Sequence, residues 1–325
     1  MVNFNRNNTE VQVMELSLVV PCYNEQDNVR LFYDEVRRVF ENKVSGYEIV
    51  FINDGSTDGT LKNLKSIYEE SGIASNVQVV SLSRNFGKDA AIYAGLSYAS
   101  GDNVCLIDAD LQQRPEVVLE MLEILRNNPE TDCVAAYQDE RREGKAASAL
   151  KSGFYKIINK IAEVDFVNGA SDFRLMRRNM VEAVLSMTEY HRFSKGILSW
   201  VGFNTEYIPY NVEERANGES KWSFGKLVKY AFEGIVSFST FPLKLSTFVG
   251  LFSFVVSILY LIVVVCEKIF KGIDVPGYAT IVVLVLLLGG LQLFCLGILG
   301  EYLSKVYIQS KKRPVYIVKE HLGKK

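Results

Sequence analysis

Short apolar runs alternate with helix-like stretches through the first half of the chain. Four runs typical of buried strands occur at residues 16–20, 47–52, 77–82 and 104–107. Apolar residues at helical spacing follow the first of them at Val29, Phe32 and Val36, and similar stretches follow the others. A helix at 117–125 and a strand at 133–136 continue the series. Strand and helix units repeated in this order predict an α/β fold with a mostly parallel central sheet.

Polar residues come directly after each of the first four predicted strands. They are Pro21-Cys22-Tyr23-Asn24-Glu25, Asn53-Asp54-Gly55-Ser56-Thr57-Asp58, Arg84-Asn85-Phe86-Gly87-Lys88 and Asp108-Ala109-Asp110-Leu111-Gln112. Because parallel sheets bind ligands beyond the carboxyl ends of their strands, these clusters predict one shared site. Neither a Gly-x-Gly-x-x-Gly fingerprint nor a Gly-Lys-Ser/Thr loop occurs, so a dehydrogenase or a P-loop NTPase lacks its main support.

Asp108 and Asp110 are the strongest candidates for chemistry in this pattern. An isolated Asp-x-Asp is more often a solvated turn, since turns favour aspartate. Here the pair stands at a strand end beside three other polar clusters, which reverses that preference. Two carboxylates that face one cleft suit a hard divalent cation such as Mg²⁺ or Mn²⁺.

The second half of the chain becomes strongly apolar after residue 240. Uncharged stretches at about 245–266 and 276–300 are each long enough to cross a hydrocarbon core of about 30 Å. Residues 224–243 have an amphipathic pattern that predicts an interfacial helix or an ordinary helix packed on the domain. The tail at 304–325 is basic, so we expect the tail and the domain at 1–223 on the cytoplasmic side of a plasma membrane.

Composition narrows the class of protein further. The 325 residues carry a formal charge of -2, and no basic patch interleaved with aromatics indicates a nucleic-acid partner. The five cysteines lack CxxC spacing, which argues against a zinc site or a disulfide framework. Residues 1–15 do not resemble a signal peptide.

The four ordered clusters resemble the motifs of family 2 inverting glycosyltransferases with the GT-A nucleotide-sugar-binding fold. Within that family the whole chain is most similar to the polyprenyl-phosphate glycosyltransferases, the group of bactoprenol glucosyltransferases and dolichol-phosphate mannose synthase. One departure follows the metal motif: Gln113-Arg114-Pro115-Glu116 stands where the family usually continues Asp-Pro-Pro-Glu. Arg114 either helps to bind a diphosphate or is simply solvated.

The resemblance implies a role for individual residues at the donor site. Residues expected to bind the nucleotide sugar are Pro21, Tyr23, Glu25, Asp54, Lys88 and Asp108. Asp108, Asp110 and Gln112 are expected to hold Mg²⁺ or Mn²⁺ against the donor diphosphate, and Asp110 is counted as catalytic for that reason. The ion would stabilise the charge that develops on the leaving nucleoside diphosphate.

The resemblance also implies residues for the acceptor phosphate. The cations expected to contact phosphate are Arg141, Arg142, Arg192, Arg215 and Lys221, although a charged loop is by default solvated. Asp172, in the segment 168–174 expected to form an acceptor loop, is the candidate catalytic base. Because a phosphate monoester has a second pKa of about 6, a base is dispensable, and Asp172 alternatively orients the acceptor or Arg174.

These expectations combine into a membrane-bound hexosyltransferase. The favoured reaction moves glucose from UDP-glucose to undecaprenyl phosphate in cell-envelope biogenesis. The same reaction with a UDP-N-acetylhexosamine, GDP-mannose or a UDP-aminoarabinose derivative, and a non-catalytic membrane scaffold, are the alternatives. A processive polysaccharide synthase is disfavoured, because the chain has no Gln-x-x-Arg-Trp segment. Gly289-Gly290 and Gly297-x-x-Gly300 permit a homo-oligomer through close helix contact.

Overall fold

The computed structural model describes residues 14–72, 76–138, 170–210, 236, 239–271 and 277–323. The chain divides into two compact units. The sheet unit comprises Met1–Lys156, Val164–Ser223 and Pro314–Lys325, and the hairpin unit comprises Ile157–Glu163 and Phe224–Arg313.

A single sheet forms the centre of the sheet unit. Its strands are β1 (Leu16–Cys22), β2 (Tyr47–Asn53), β3 (Val77–Leu82), β4 (Asn103–Leu106), β5 (Cys133–Gln138), β6 (Ala170–Arg177), β7 (Thr205–Tyr210) and β8 (Val318–Leu322). Their order across the sheet is β7-β5-β6-β4-β1-β2-β3-β8. The pairs β4-β1, β1-β2, β2-β3 and β5-β7 are parallel, whereas β6 runs antiparallel to both β4 and β5. The predicted mostly parallel α/β sheet is therefore confirmed.

Helices cover the sheet between these strands. They are α1 (Val29–Phe40), α2 (Thr60–Ser71), α3 (Lys88–Tyr98), α4 (Pro115–Asn127), α5 (Arg178–Ser186) and α6 (Ser194–Trp200). Strands β1 to β3 are almost wholly buried, as expected where helices pack on both faces of a sheet. A Cβ at Gly95 of α3 would lie 2.2 Å from Val19 Cγ1, so this glycine lets α3 pack closely on β1.

The last strand of the sheet comes from the C-terminal tail. β8 pairs antiparallel with β3, and Val80 is the register partner of His321. Lys65 of α2 forms an ion pair with Glu320 at 2.7 Å, and buried Gln78 lies 3.2 Å from the His321 ring nitrogen. The tail was expected only to be basic, and this strand was not predicted.

The hairpin unit contains two long apolar helices, α7 (Phe241–Lys271) and α8 (Tyr278–Ser310). Stretches Phe241–Glu267 and Val283–Ser310 have the length and composition of membrane spans, with mean hydropathies of 2.8 and 2.4. Tyr302 Oη donates a hydrogen bond of 2.5 Å to the Ser239 carbonyl, which joins α8 to the residues before α7. The predicted stretch at 245–266 lies within α7, and the one at 276–300 coincides with α8 from Tyr278 onward. Most of the predicted interfacial helix at 224–243 lies outside the described residues.

Candidate active site

The carboxyl ends of β1 to β4 bring the polar clusters together, as the sequence predicts. β6 runs antiparallel beside β4, with Arg174 as the register partner of Leu106. The beginning of β6 therefore lies just beyond the end of β4, and Asp172 reaches the same edge as Asp108. Segment 168–174 was expected to be a loop, but from Ala170 onward it is this strand.

Three charged side chains meet at this edge. The Lys88 Nζ lies 2.8 Å from Asp108 Oδ1, 3.0 Å from Asp108 Oδ2 and 3.3 Å from Asp172 Oδ2. Lys88 is the first residue of α3, Asp108 follows β4 and Asp172 lies near the start of β6. With Pro21 and Gln113 they line a shallow cleft. Among the predicted site residues, the structure thus places Pro21, Lys88, Asp108 and Asp172 together.

The charged groups in this cluster shift one another's pKa values. Desolvation lowers the pKa of Lys88, but the Asp108 and Asp172 carboxylates outweigh it and hold that pKa above its ordinary value. Desolvation raises the pKa of Asp172, but the positive charges of Lys88, Lys195 and Arg174 outweigh desolvation and hold that pKa below its ordinary value. At neutral pH Lys88 is therefore a charged ammonium group, and Asp172 is an ionised carboxylate.

Gln113 fixes the loop that carries the carboxylates, and sequence reasoning did not select it. Its Oε1 accepts a hydrogen bond of 2.9 Å from the Asp108 N–H, and its Nε2 donates to Asp108 Oδ2 at 3.3 Å and Ser171 Oγ at 3.5 Å. The side chain is buried, and Leu111 in the same loop has a left-handed φ of 59°. A non-glycine residue there requires a firmly held loop. The departure from the family pattern at position 113 was the available signal.

Asp54 fixes the loop that carries Lys88. The Asp54 Oδ1 accepts a hydrogen bond of 2.7 Å from the Phe86 N–H, and its Oδ2 accepts one of 2.9 Å from the Gly87 N–H. Gly55, at φ +63°, meets the same loop, because a Cβ there would lie 2.3 Å from the Arg84 carbonyl carbon. The predicted nucleotide contact of Asp54 stays a prediction.

Two further predicted donor residues lie after β1. The Tyr23 side chain is 40% exposed, which leaves it accessible to a ligand. Glu25 Oε2 accepts a hydrogen bond of 2.7 Å from Asn28 Nδ2, and the Glu25 N–H donates one of 2.8 Å to Thr60 Oγ1. The Asp58 carboxylate accepts hydrogen bonds from the Thr60 N–H and hydroxyl, which is a turn contact just before α2.

One of the five predicted phosphate-binding cations, Arg192, lies among the described residues. Arg192 donates to the carbonyls of Met187 and Val184, and its guanidinium lies 4.1 Å from the Tyr93 ring centroid. Its phosphate contact stays a prediction. The other four, Arg141, Arg142, Arg215 and Lys221, lie outside the described residues.

Tyr210 at the end of β7 is a further site residue that sequence reasoning missed. Its hydroxyl is hydrogen-bonded to Ser171, the neighbour of Asp172, and its ring lies 5.7 Å from that of Phe173. Burial raises the pKa of Tyr210, the Ser171 hydrogen bond opposes that shift, and the carboxylates of Asp108 and Asp110 add to it. Tyr210 therefore borders the charged cluster on the side where β7 ends.

The chemistry of the oxygen donors fits a hard divalent cation. Asp108 and Asp110 flank a single residue of one held loop, and Asp110 Oδ1 accepts a hydrogen bond of 3.2 Å from the Gln112 N–H. Carboxylate and amide oxygens are ligands that Mg²⁺ and Mn²⁺ prefer. Among the described residues, no group of three or more His, Cys, Asp or Glu side chains is arranged to hold a metal.

Comparisons with known proteins agree with this geometry. The profile of Glycosyl transferase family 2 matches residues 17–185, and that of the GtrB C-terminal hairpin matches residues 241–306. The chain is 44% identical over 305 residues to the glycosyltransferase CsbB of Bacillus subtilis (strain 168), covering 94% of this chain and 91% of CsbB. It is 42% identical over 313 residues to the bactoprenol glucosyl transferase of Shigella phage SfV, covering 96% and 100%.

Among solved structures, the mannosyltransferase PcManGT of Pyrobaculum calidifontis, in complex with GDP-Man and Mn²⁺, aligns with 70% of this chain and 63% of its own. The identity is 17% and the TM-score is 0.47, so nothing about ligands is inferred from it. The two profile matches and the nearly full-length relatives decide the assignment, and they confirm the predicted family. This chain belongs to glycosyltransferase family 2 and is a glycosyltransferase with a GT-A fold followed by a GtrB C-terminal hairpin.

Proposed function

We propose that this protein transfers glucose from UDP-glucose to undecaprenyl phosphate and inverts the configuration at the anomeric carbon. The observation that carries the proposal is the Lys88, Asp108 and Asp172 cluster at the carboxyl edge of a family 2 sheet, in a chain that also has two long apolar helices. A water-soluble donor and a lipid acceptor must meet at a membrane surface. Relatives named as bactoprenol glucosyl transferases match this chain over nearly its full length, which supports the choice of acceptor and sugar.

The reaction is a direct displacement. An oxygen of the acceptor phosphate attacks the anomeric carbon, and the bond from that carbon to the donor diphosphate breaks. The electron pair of that bond goes to the β-phosphate oxygen, and nucleoside diphosphate leaves. Because the acceptor phosphate is already largely dianionic at neutral pH, the nucleophile needs no base. Asp172, whose pKa is lowered, is therefore proposed to orient cations and the acceptor rather than to take a proton.

Each part of the cleft has a proposed task. Asp108, Asp110 and Gln112 would hold Mg²⁺ or Mn²⁺, which supplies positive charge for the leaving diphosphate. Pro21, Tyr23, Glu25 and Asp54 line or support the region proposed for the nucleotide. Gln113 holds Asp108 through hydrogen bonds to its backbone N–H and its Oδ2, and it donates a third hydrogen bond to Ser171. Precise placement matters because positioning and electrostatics supply most of the catalysis in such transfers.

The proposed location is the plasma membrane, with the sheet unit on the cytoplasmic side. Nucleotide sugars are cytoplasmic, so the cleft must face that compartment. The tail carries Lys311, Lys312 and Arg313 directly after α8, and excess basic residues mark the cytoplasmic side of a span. Residues 314–323 belong to the sheet unit, which supports a topology in which α7 and α8 each cross once and return the chain to the side where it started.

The test is release of nucleoside diphosphate by the purified full-length protein. Undecaprenyl phosphate, Mn²⁺ and separate UDP-glucose, UDP-N-acetylglucosamine and GDP-mannose reactions are supplied, with Asp110→Ala in parallel. We expect turnover with UDP-glucose that requires both lipid and metal and falls at least about 100-fold in Asp110→Ala. Turnover with another donor would correct the sugar. Absence of turnover with every donor, in protein that melts cooperatively, would favour the non-catalytic scaffold.

A further inference from the structure

The Asp108 carboxylate, which is expected to bind the metal, already forms an ion pair with the Lys88 ammonium group. Lys88 Nζ lies within 2.8 Å of Asp108 Oδ1 and 3.0 Å of Oδ2, so one ammonium group faces both oxygens. Gln113 Nε2 donates to Oδ2 as well, at 3.3 Å. A divalent ion placed on the same two oxygens would meet a positive charge at close range, and like charges repel strongly where water is partly excluded. The ammonium and the metal therefore compete for Asp108.

Asp172 is a second carboxylate that can pair with the Lys88 ammonium group. Asp172 Oδ2 lies 3.3 Å from its Nζ, and Asp172 Oδ1 is buried with no hydrogen-bond partner among the described residues. A buried carboxylate oxygen without a donor is costly, so it favours any donor that can reach it. Lys88 Nζ already contacts the other oxygen of this carboxylate, so Asp172 can hold the ammonium group when it leaves Asp108.

The backbone under Lys88 need not move for this change. Asp54 holds the N–H groups of Phe86 and Gly87, the two residues before Lys88, and Gly55 packs on the same loop. Lysine carries its charge on a flexible four-carbon stem, and 47% of this side chain is exposed. The proposed movement therefore involves the Lys88 side chain alone, while the backbone of its loop stays in place.

We propose that Lys88 is a resident counter-ion of the metal site. In the free protein its ammonium occupies Asp108, and it moves onto Asp172 when the divalent cation and the donor diphosphate bind. The proposal rests on the proposed function, since it takes Asp108 as a metal ligand. Lys88 is then a positioning residue whose ammonium group has two alternative partners, Asp108 and Asp172. The divalent cation alone then binds weakly, and the diphosphate, which adds negative charge, makes its binding strong.

The experiment measures Mn²⁺ binding without turnover. The full-length protein in detergent is titrated with Mn²⁺ in the absence of nucleotide, and free Mn²⁺ is followed by its electron paramagnetic resonance signal. We expect Lys88→Met to bind Mn²⁺ at least about fivefold more tightly than wild type, because the competing charge is gone. Lys88→Arg, which keeps the charge, should remain within about twofold of wild type.

Lys65→Met is the matched control, because Lys65 is also ion-paired, to Glu320, but at the far edge of the sheet. It should leave Mn²⁺ affinity unchanged. Lys88→Gln, a neutral and smaller change, replaces Lys88→Met if that variant does not melt cooperatively. Wild-type or weaker Mn²⁺ affinity in the neutral variant overturns the proposal.

A second comparison separates this inference from the proposed function. Mn²⁺ binding that is strengthened by UDP and lost in Asp110→Ala supports the metal site whatever Lys88 does. If such binding is present but insensitive to the charge at position 88, the counter-ion role alone is wrong. If neither wild type nor any variant binds Mn²⁺ even with UDP, the metal site is wrong, and both proposals are overturned.

Discussion

Asp108 is held from several directions before any ligand arrives. Gln113 fixes its backbone N–H and one of its carboxylate oxygens, and Lys88 contacts both oxygens. Gln113 also donates to Ser171 on β6, so it joins the loop after β4 to the strand that carries Asp172. A buried side chain with three such contacts couples the positions of the two carboxylates.

The first prediction concerns this coupling. Gln113→Ala leaves the Asp108 N–H without its acceptor and removes the link to Ser171, and loss of a buried partner costs about 1–3 kcal/mol. We expect Mn²⁺ affinity in the presence of UDP, and turnover with UDP-glucose, each to fall about tenfold, since 1.4 kcal/mol corresponds to a factor of ten. A cooperative melting transition provides the control for folding. Unchanged affinity and turnover would mean that Gln113 only fills space.

The sequence predicts the charged members of this site better than the neutral ones. Asp108 stands out because it follows a predicted strand beside three other polar clusters, and Asp172 stands out through the family resemblance. Gln113 folds back on its own loop, and Tyr210 enters from β7, more than 30 residues after Asp172. Contacts of that kind depend on the tertiary path of the chain, and no local pattern encodes them.

At the scale of elements, β1 to β5 are predicted from the sequence, whereas β6, β7 and β8 are not. β1 to β4 are continuous apolar runs, because helices cover both faces. β6 places Asp172 and buried Arg174 between apolar residues, and β8 reads Val-Lys-Glu-His-Leu, so both lack an apolar run. Their strand conformation comes from pairing with β4, β5 and β3, which is tertiary context overriding local propensity.

A second prediction belongs to the junction where β1 begins. Glu15 Oε2 accepts hydrogen bonds from the Ser45 N–H and hydroxyl, and Oε1 accepts one of 3.0 Å from Arg126 of α4. Partial desolvation raises the pKa of Glu15, but Ser45 and Arg126 outweigh it and lower that pKa below its ordinary value. A carboxyl group with a lowered folded-state pKa stabilises the fold at neutral pH, and the stabilisation disappears as pH falls through that lowered value.

Glu15→Gln should therefore lower the free energy of unfolding by up to about 1 kcal/mol at pH 7, a modest figure because Arg126 is half-exposed. The difference from wild type should shrink as the pH is lowered below about 4.5. Denaturant midpoints at a series of pH values measure this. Glu123→Gln, at an exposed position on the same helix, is the control. A difference that stays constant with pH would exclude a role for the Glu15 charge.

At the scale of the whole molecule, the chain leaves the sheet unit, forms the hairpin unit and returns to complete the sheet. β8 covers the edge of β3, and its Leu322 packs against the main core. His321 adjoins Gln78, which donates a hydrogen bond of 2.7 Å to the buried Glu48 carboxylate. The tail is therefore a structural part of the sheet unit.

The third prediction follows from that role. Deleting residues 314–325 uncovers the β3 edge and the Gln78–Glu48 contact, and we expect a loss of at least about 3 kcal/mol, from several hydrogen bonds worth about 1 kcal/mol each. The melting temperature of the full-length protein in detergent should fall accordingly. Deleting residues 324–325 removes two tail charges without β8 and should have little effect. Equal melting temperatures for both deletions would contradict a structural role for β8.

The fourth prediction concerns the side of the membrane on which each end of the hairpin lies. Since both the residues before α7 and those after α8 connect to the sheet unit, one crossing by each helix puts the tail and the sheet unit on one side and residues 272–276 on the other. Cys22, Cys105 and Cys133 are buried, so replacing Cys266 and Cys295 by serine gives a low labelling background. In that background, Lys324→Cys should react with a membrane-impermeant maleimide in inside-out vesicles but not in intact cells. Ile273→Cys should show the reverse, and detergent should expose both. Labelling of both positions from the same side would show that at least one apolar helix does not cross, and the lipid acceptor would then have to be reached without a transmembrane anchor.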